Sequence, residues 1–171
     1  ENATNPIRKI AYQTPEYSVE NVVTLLETPE GPMPIEVFGA HNLNNLAGAK
    51  WICQNMGVDE ADFYEAIATF KGASKRLEKI AETKTAVAYK DFAHSPSKVK
   101  ATTEAVKAQY PNRKLVACLE LHTYSSLNAE FLKEYEGALD AADVAVVFYS
   151  PDAVKIKQLE EVTYEQISEA F

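Results

Sequence analysis

Apolar and β-branched residues gather in three short runs over the first forty positions, with proline- and glycine-rich punctuation between them. Ile7 to Thr14 lies between Pro6 and Pro15, Asn21 to Glu27 precedes the turn-rich stretch Thr28 to Pro34, and Ile35 to Phe38 follows it. Such runs predict strands, the last two as a hairpin or a neighbouring antiparallel pair. From about Asn44 to Asn55 the spacing turns helical. Leu43, Leu46, Ala47, Ala49 and Trp51 form an apolar stripe, and Gly57 is a natural stop. Asp59 is placed to cap a second helix in which Phe63, Ile67 and Phe70 recur. Gly72 closes that unit and Ala73 to Arg76 reads as a linker, so a boundary is expected near Phe70 to Ser74.

The second half alternates. Thr85 to Tyr89 reads as a strand, Pro96 to Gln109 as a helix with proline in its first turn, and Leu115 to Leu119 as a buried strand. Asn128 to Leu139 is amphipathic through Phe131, Leu132, Tyr135 and Leu139; Val144 to Tyr149 is a third apolar strand, with helical sequence from Asp152 onward. Unbroken apolar strands alternating with helices predict an α/β fold, with a Rossmann-like parallel sheet covered on both faces.

The chain has 171 residues, 46% of them hydrophobic and 25% charged, enough for a packed core. Seventeen Lys and Arg against 25 Asp and Glu leave a net charge of −8, which argues against a surface built for nucleic acid or anionic lipid. No window approaches the roughly 18 apolar residues of a membrane span, and Glu1 to Thr4 lacks the order of a secretory signal. Cys53 and Cys118 lie far apart in apolar segments, so buried free thiols are expected rather than a disulfide or zinc framework. These features together predict a cytoplasmic protein.

Candidate chemistry falls where open α/β sheets gather ligands, at the carboxyl ends of strands. Asp91, Phe92 and His94 follow the first strand of the second half, and Glu120 to Ser126, with His122, follow the next. Asp91 or Ser95 could equally cap the helix that begins near Pro96, leaving His94 a surface residue. Upstream, His41, Asn42, Asn44 and Asn45 stand at a helix start, where amides cap helices but also present donors and acceptors to a polar ring or an anion. Lys75-Arg76-Leu77-Glu78 reads either as a solvated charge pair or, through Arg76, as a phosphate clamp. No third ligand accompanies the two histidines at zinc spacing. Neither G-x-G-x-x-G nor G-x-x-x-x-G-K-[ST] occurs, so the chain has no glycine-rich phosphate cradle of its own.

In order, Gly39-Ala-His41-Asn42-Leu-Asn44-Asn45-Leu-Ala, Phe70-Lys-Gly-Ala-Ser-Lys75-Arg76-Leu77-Glu78, Asp91-Phe92-Ala93-His94-Ser95-Pro96 and His122-Thr-Tyr-Ser resemble the Mur ligase family, the ATP-dependent amide-forming enzymes of peptidoglycan synthesis. The likeness is to its members that add L-alanine, or a recycled peptide, to UDP-N-acetylmuramate. It implies that residues 1–70 are the tail of a central ATP-binding domain and residues 71–171 a truncated C-terminal domain. The P-loop would then lie upstream and the last strands downstream. It further implies ATP and Mg2+ as cofactors, a carboxylate activated as an acyl phosphate, and an amino acid or peptide as the attacking amine. His41, Asn42 and Asn45 would meet the adenine side of ATP, Arg76 its phosphates, and Asp91 the ribose and phosphates. Phe92, His94 and His122 would receive the amine, and no metal ligand is assigned. Thr123 and Ser126 stand where alanine-adding members carry arginines, and Ser95 replaces a second histidine, so a peptide or another amine is favoured over free L-alanine. A glutamate-chain-extending ligase fits the Asp91-Phe-Ala-His94 motif less well. The alternative is a non-catalytic binding or regulatory module that retains the fold. Self-association through an exposed sheet edge is also expected.

Overall fold

A computed structural model describes residues 9–171. Three strands, β1 (Tyr17–Glu20), β2 (Val23–Thr28) and β3 (Gly31–Ile35), form an antiparallel sheet in that order. Asn21 and Val22, expected in a strand, instead make the tight β1–β2 turn with φ of 49° and 70°. Positive φ at both central residues is what a two-residue hairpin turn with native twist requires. The expected strand at Ile35 to Phe38 lies earlier, as β3, and contains Pro32 and Pro34. Both prolines are tolerable because β3 is an edge strand, where a missing N–H costs no ladder bond on the open side. Of the predicted run Ile7 to Thr14, Ile7 and Arg8 lie outside the described residues and Lys9 to Thr14 forms no strand.

Helix α1 (Ala40–Asn55) begins four residues before the expected start, which brings His41 and Asn42 into its first turn. Gly39, with φ of 88°, is its N-cap. A Cβ there would stand 2.6 Å from the Cβ of Ala105, so only glycine lets α1 start this close to the helix behind it. Helix α2 (Glu60–Ala68) is capped as expected, the Asp59 carboxylate accepting from the Ala61 N–H at 2.8 Å. Leu26, Ile35, Leu43, Leu46 and Phe63 form the core of this half.

Beyond the linker, β4 (Glu78–Glu82) pairs antiparallel with β5 (Val87–Lys90). The sequence reading had no strand at β4, whose residues are charged and largely exposed. Helix α3 (Pro96–Gln109) has the expected bounds. Strands β6 (Val116–Leu121) and β7 (Val144–Tyr149) run parallel in register, Cys118 opposite Val146 and Glu120 opposite Phe148. The α/β fold with a parallel pair is as expected, with two differences. Strand β5 bonds to β4 rather than β6, and a cavity of about 310 Å³ lies between β5 and β6. One face of β6–β7 is uncovered, so Cys118, expected to be buried, is exposed opposite Val146, itself 44% exposed; Cys53 is half-buried and both thiols are free. The predicted helix over Asn128 to Leu139 shrinks to α4 (Ala129–Leu132) and one 3-10 turn at Lys133–Tyr135. Helices α5 (Pro151–Ile156) and α6 (Tyr164–Ala170) complete the chain. Leu119, Leu121, Leu127, Leu132 and Tyr135 centre the second core, and Phe38, Leu77 and Ala105 pack between the two halves. No helix among the described residues is long and apolar enough to cross a membrane.

Candidate functional site

A cavity of about 690 Å³ lies where the first turns of α1 and α3 face each other across the linker. His41, Asn42 and Asn45 line it from α1, Arg76 from the linker, and Asp91 from the end of β5. All five residues assigned by resemblance to the nucleotide side thus share one wall system, although 50 positions separate His41 from Asp91. Leu46, Ala49, Ile67 and Phe70 give it an apolar side; Ser97 and Lys98, on the first turn of α3, give it a polar one. The first turn of α3 holds no acidic side chain; Pro96 has no N–H and the Lys98 and Val99 N–H groups bond to the Ser95 carbonyl, so it is the Lys98 ammonium that adds to the positive character Arg76 supplies.

Each polar residue is held differently. Asn42 donates from Nδ2 to the Phe38 carbonyl at 3.0 Å, so its amide nitrogen secures the start of α1. Burial pushes the His41 imidazole below its ordinary pKa, and the nearby Asp91 carboxylate only partly offsets this. The ring is therefore neutral at pH 7, with one donor and one acceptor nitrogen. Arg76 makes no ion pair among the described residues and its guanidinium is exposed.

The Asp91 carboxylate is engaged at both oxygens: Oδ2 accepts from the Leu77 N–H at 2.7 Å and Oδ1 from the Ala93 N–H at 2.6 Å. Leu77 (φ 47°) and Lys75 (φ 57°) are left-handed, a conformation costly for residues with a Cβ. Glu78 Oε2 steadies the same turn, accepting from the Lys75 N–H at 2.8 Å and from Ser74 Oγ at 3.1 Å. In Lys75-Arg76-Leu77-Glu78 the carboxylate therefore bonds to backbone rather than forming a charge pair with its neighbours.

Alternation along the extended stretch after β5 separates two groups of side chains. Asp91 and Ala93 face the cavity, while Phe92 and His94 join His122, from the end of β6, in a three-ring cluster. The centroids lie 5.1 Å apart for Phe92–His94, 5.9 Å for His94–His122 and 6.0 Å for Phe92–His122. Phe92 is 48% exposed, so the cluster is open to a ligand. The buried Tyr135 hydroxyl donates to the His94 carbonyl and holds that loop from below.

Lys98 is the cavity residue that sequence reasoning passed over. A lysine three positions past a helix cap reads as solvated, and its place in the wall depends on α3 meeting α1. No group of three His, Cys, Asp or Glu side chains suited to a metal ion occurs among the described residues. The cavity nonetheless combines an apolar side from Leu46, Ala49, Ile67 and Phe70 with the His41 imidazole and the cations Arg76 and Lys98.

No protein-family model matches the chain. It is 30% identical over 141 residues to the UDP-N-acetylmuramate–L-alanine ligase of Lactococcus lactis, a match covering 81% of this chain and 31% of that protein. To the enzyme of the same name from Microcystis aeruginosa it is 34% identical over 144 residues, covering 81% of this chain and 29% of that protein. The chain thus spans less than a third of the length of these relatives. Among solved structures, a UDP-N-acetylmuramate-alanine ligase from Thermotoga maritima superposes with a TM-score of 0.66 at 20% identity, over 90% of this chain and 34% of that one. A murein peptide ligase from Psychrobacter arcticus gives 0.53 at 22% identity, over 86% and 30%. With the ordered motifs, the shared fold and the sequence identity in agreement, the chain belongs to the Mur ligase family.

Proposed function

We propose that the chain is the nucleotide-closing and amine-receiving part of an ATP-dependent amide ligase that joins UDP-N-acetylmuramate to an amino acid or peptide. In this reading residues 1–70 end the ATP-binding domain, residues 71–171 begin the C-terminal domain, and the enzyme works in the cytoplasm. The observation that carries the proposal is the convergence of His41, Asn45, Arg76 and Asp91 on one cavity walled by both halves. Bound ATP would supply the phosphoryl group that activates the substrate carboxylate. His41 and Asn45 would hold the base, the neutral imidazole offering a hydrogen bond without a charge. Arg76 and Lys98 would neutralise phosphate oxygens, where a planar guanidinium and preorganised charge act most strongly. Asp91 would fix the linker, so that Arg76 is presented at a set distance from α1. With no group of three His, Cys, Asp or Glu side chains among the described residues to hold it, Mg2+ would be held largely by the ATP phosphates.

The amine would meet the Phe92–His94–His122 cluster. Thr123 and Ser126 close on each other there, Thr123 Oγ1 to Ser126 Oγ at 2.8 Å and the Ser126 N–H to Thr123 Oγ1 at 3.0 Å, which leaves no fork for an α-carboxylate in that turn. This supports a peptide over free L-alanine.

Titration of the chain with ATP, followed by NMR, tests the nucleotide reading. Shifts at His41 and Asn45 that weaken roughly ten-fold or more in Arg76→Ala are expected, from loss of a charge-assisted bond. Absence of any nucleotide-dependent shift rejects it. In a parent enzyme, phosphate release with ATP, magnesium and UDP-N-acetylmuramate, comparing L-alanine with L-Ala-γ-D-Glu-meso-diaminopimelate, decides the amine.

A further inference from the structure

Arg76 makes no ion pair among the described residues, so its backbone sets where the guanidinium can reach. That backbone is pinned at successive amides. The Lys75 N–H donates to Glu78 Oε2 at 2.8 Å, the Arg76 N–H to the Ala73 carbonyl at 3.1 Å, and the Leu77 N–H to Asp91 Oδ2 at 2.7 Å. The residues on either side of Arg76 are both left-handed, Lys75 at φ of 57° and Leu77 at 47°, and each is bonded to its own carboxylate. Residues with a Cβ keep such a conformation only where their surroundings over-determine it. Leu77 is held a second time by its side chain, which is buried and packs with Phe38 and Ala105. Lys75 is exposed, so the Glu78 carboxylate, which also accepts from Ser74 Oγ at 3.1 Å, is the contact that fixes it.

The two carboxylates belong to one ribbon. Glu78 opens β4 and stands opposite Lys90, the last residue of β5, and Asp91 follows Lys90. Strand β4 buries little, yet its pairing with β5 brings both carboxylates to the same turn. Glu78 is not part of the nucleotide-sized cavity. It lines a second cavity, of about 770 Å³, which shares the linker as a wall through Lys71, Ser74 and Leu77. The bonds from the Lys75 N–H and the Ser74 hydroxyl draw the Glu78 carboxyl below its ordinary pKa, so at pH 7 it is ionised and only accepts.

We propose that Glu78 is a positioning residue for Arg76: from the other side of the linker it fixes the left-handed Lys75 and so sets the direction in which the guanidinium enters the nucleotide-sized cavity. The inference rests on the nucleotide reading for the phosphates that Arg76 meets. Asp91 and Glu78 divide the work, Asp91 fixing the residue after Arg76 and Glu78 the residue before it. Loss of Glu78 leaves the charge of Arg76 in place but frees its approach, and a cation that must be ordered on binding holds an anion less tightly than one already in position.

Titration of the chain with ATP, read at His41 by NMR, tests this in Glu78→Ala, Glu78→Gln, Arg76→Ala and the double variant Glu78→Ala with Arg76→Ala. Glu78→Ala should weaken ATP about five-fold or more on its own, and less than about two-fold once Arg76 is alanine, because a residue acting through another then has nothing to act on. Glu78→Gln, whose amide oxygen can still accept from Lys75 and Ser74, should recover most of the affinity. Adenosine, which has no phosphate for Arg76, should bind Glu78→Ala as it binds the unaltered chain. Without ligand, hydrogen exchange in Glu78→Ala should quicken at Lys75 while Leu121 keeps its rate. Unchanged ATP affinity in Glu78→Ala, the same loss with and without Arg76, equal losses for ATP and adenosine, or unchanged exchange at Lys75 would each overturn the proposal. Failure of ATP to bind the unaltered chain defeats the nucleotide reading and this role with it, whereas ATP binding that is indifferent to Glu78 defeats this role alone.

Discussion

Gln109, the last residue of α3, is bonded to Thr24 in β2 across 85 positions of sequence: its Oε1 accepts from Thr24 Oγ1 at 3.3 Å. Its Nε2 donates to the Val22 carbonyl at 2.6 Å, so one glutamine holds both the strand and the turn before it. Thr24 is 1% exposed and Gln109 5%, which removes water as a substitute partner. Val22 is β-branched and left-handed at φ of 70°, a conformation that persists only when neighbours hold it. The far end of α3 is thus fastened to the first half, while its first turn lines the nucleotide-sized cavity.

Gln109→Ala should destabilise the chain by about 1–3 kcal/mol, because it strands a buried hydroxyl and a carbonyl. Urea unfolding of Gln109→Ala, Thr24→Val and the double variant checks the bond itself. The double variant should cost less than the two single changes added together. Strict additivity would show that the two side chains are not coupled.

Gly39→Ala combines two penalties, a left-handed φ and a Cβ placed 2.6 Å from that of Ala105. A loss of about 2 kcal/mol or more is expected from these together. Adding Ala105→Gly removes the collision but not the backbone cost, so it should recover only part of the loss. Full recovery would assign the whole effect to the collision.

Asp91→Ala releases the Leu77 and Ala93 amides at once. Hydrogen exchange should speed up at both positions by roughly ten-fold or more, while the core amide of Leu121 keeps its rate. Equal acceleration everywhere would instead mark a global loss of stability.

Lowered pKa at His41 makes stability depend on pH. An imidazole whose folded pKa lies below the ordinary 6.5 is penalised when protonated, so the unfolded chain binds the proton more readily. Its contribution is intact above pH 6.5 and is lost as pH falls through the lower folded value. Denaturation midpoints measured downward from pH 7 should fall in the native chain, with a shallower slope in His41→Gln. Parallel slopes would remove His41 as the cause.

What could be read along the chain was whatever short-range chemistry decides. Pro96 at the first helical position bounds α3, and Asp59 marks the start of α2. The ordered motifs around His41, Arg76, Asp91 and His122 carry the resemblance to the Mur ligase family in the sequence alone. Pairing was harder to read: β4 is charged and exposed, so periodicity had no apolar face to report, and only its register with β5 makes it a strand. The expected burial of Cys118 failed because an apolar run shows that a strand favours a core without showing whether both faces are covered.

Local propensity, capping and turn chemistry act over a few residues, and to that extent the sequence by itself determined the bounds of α3, the start of α2, the α/β class and the residues with chemistry to offer. Tertiary structure decided where they meet. Only the packing of α1 on α3 brings His41 within reach of the Asp91 charge, and only the parallel exit of β6 and β7 brings Lys157 over Tyr124. Both depend on contacts between segments far apart in the chain, whose closing entropy is recovered by the cores and the Gln109–Thr24 bond rather than by any local signal.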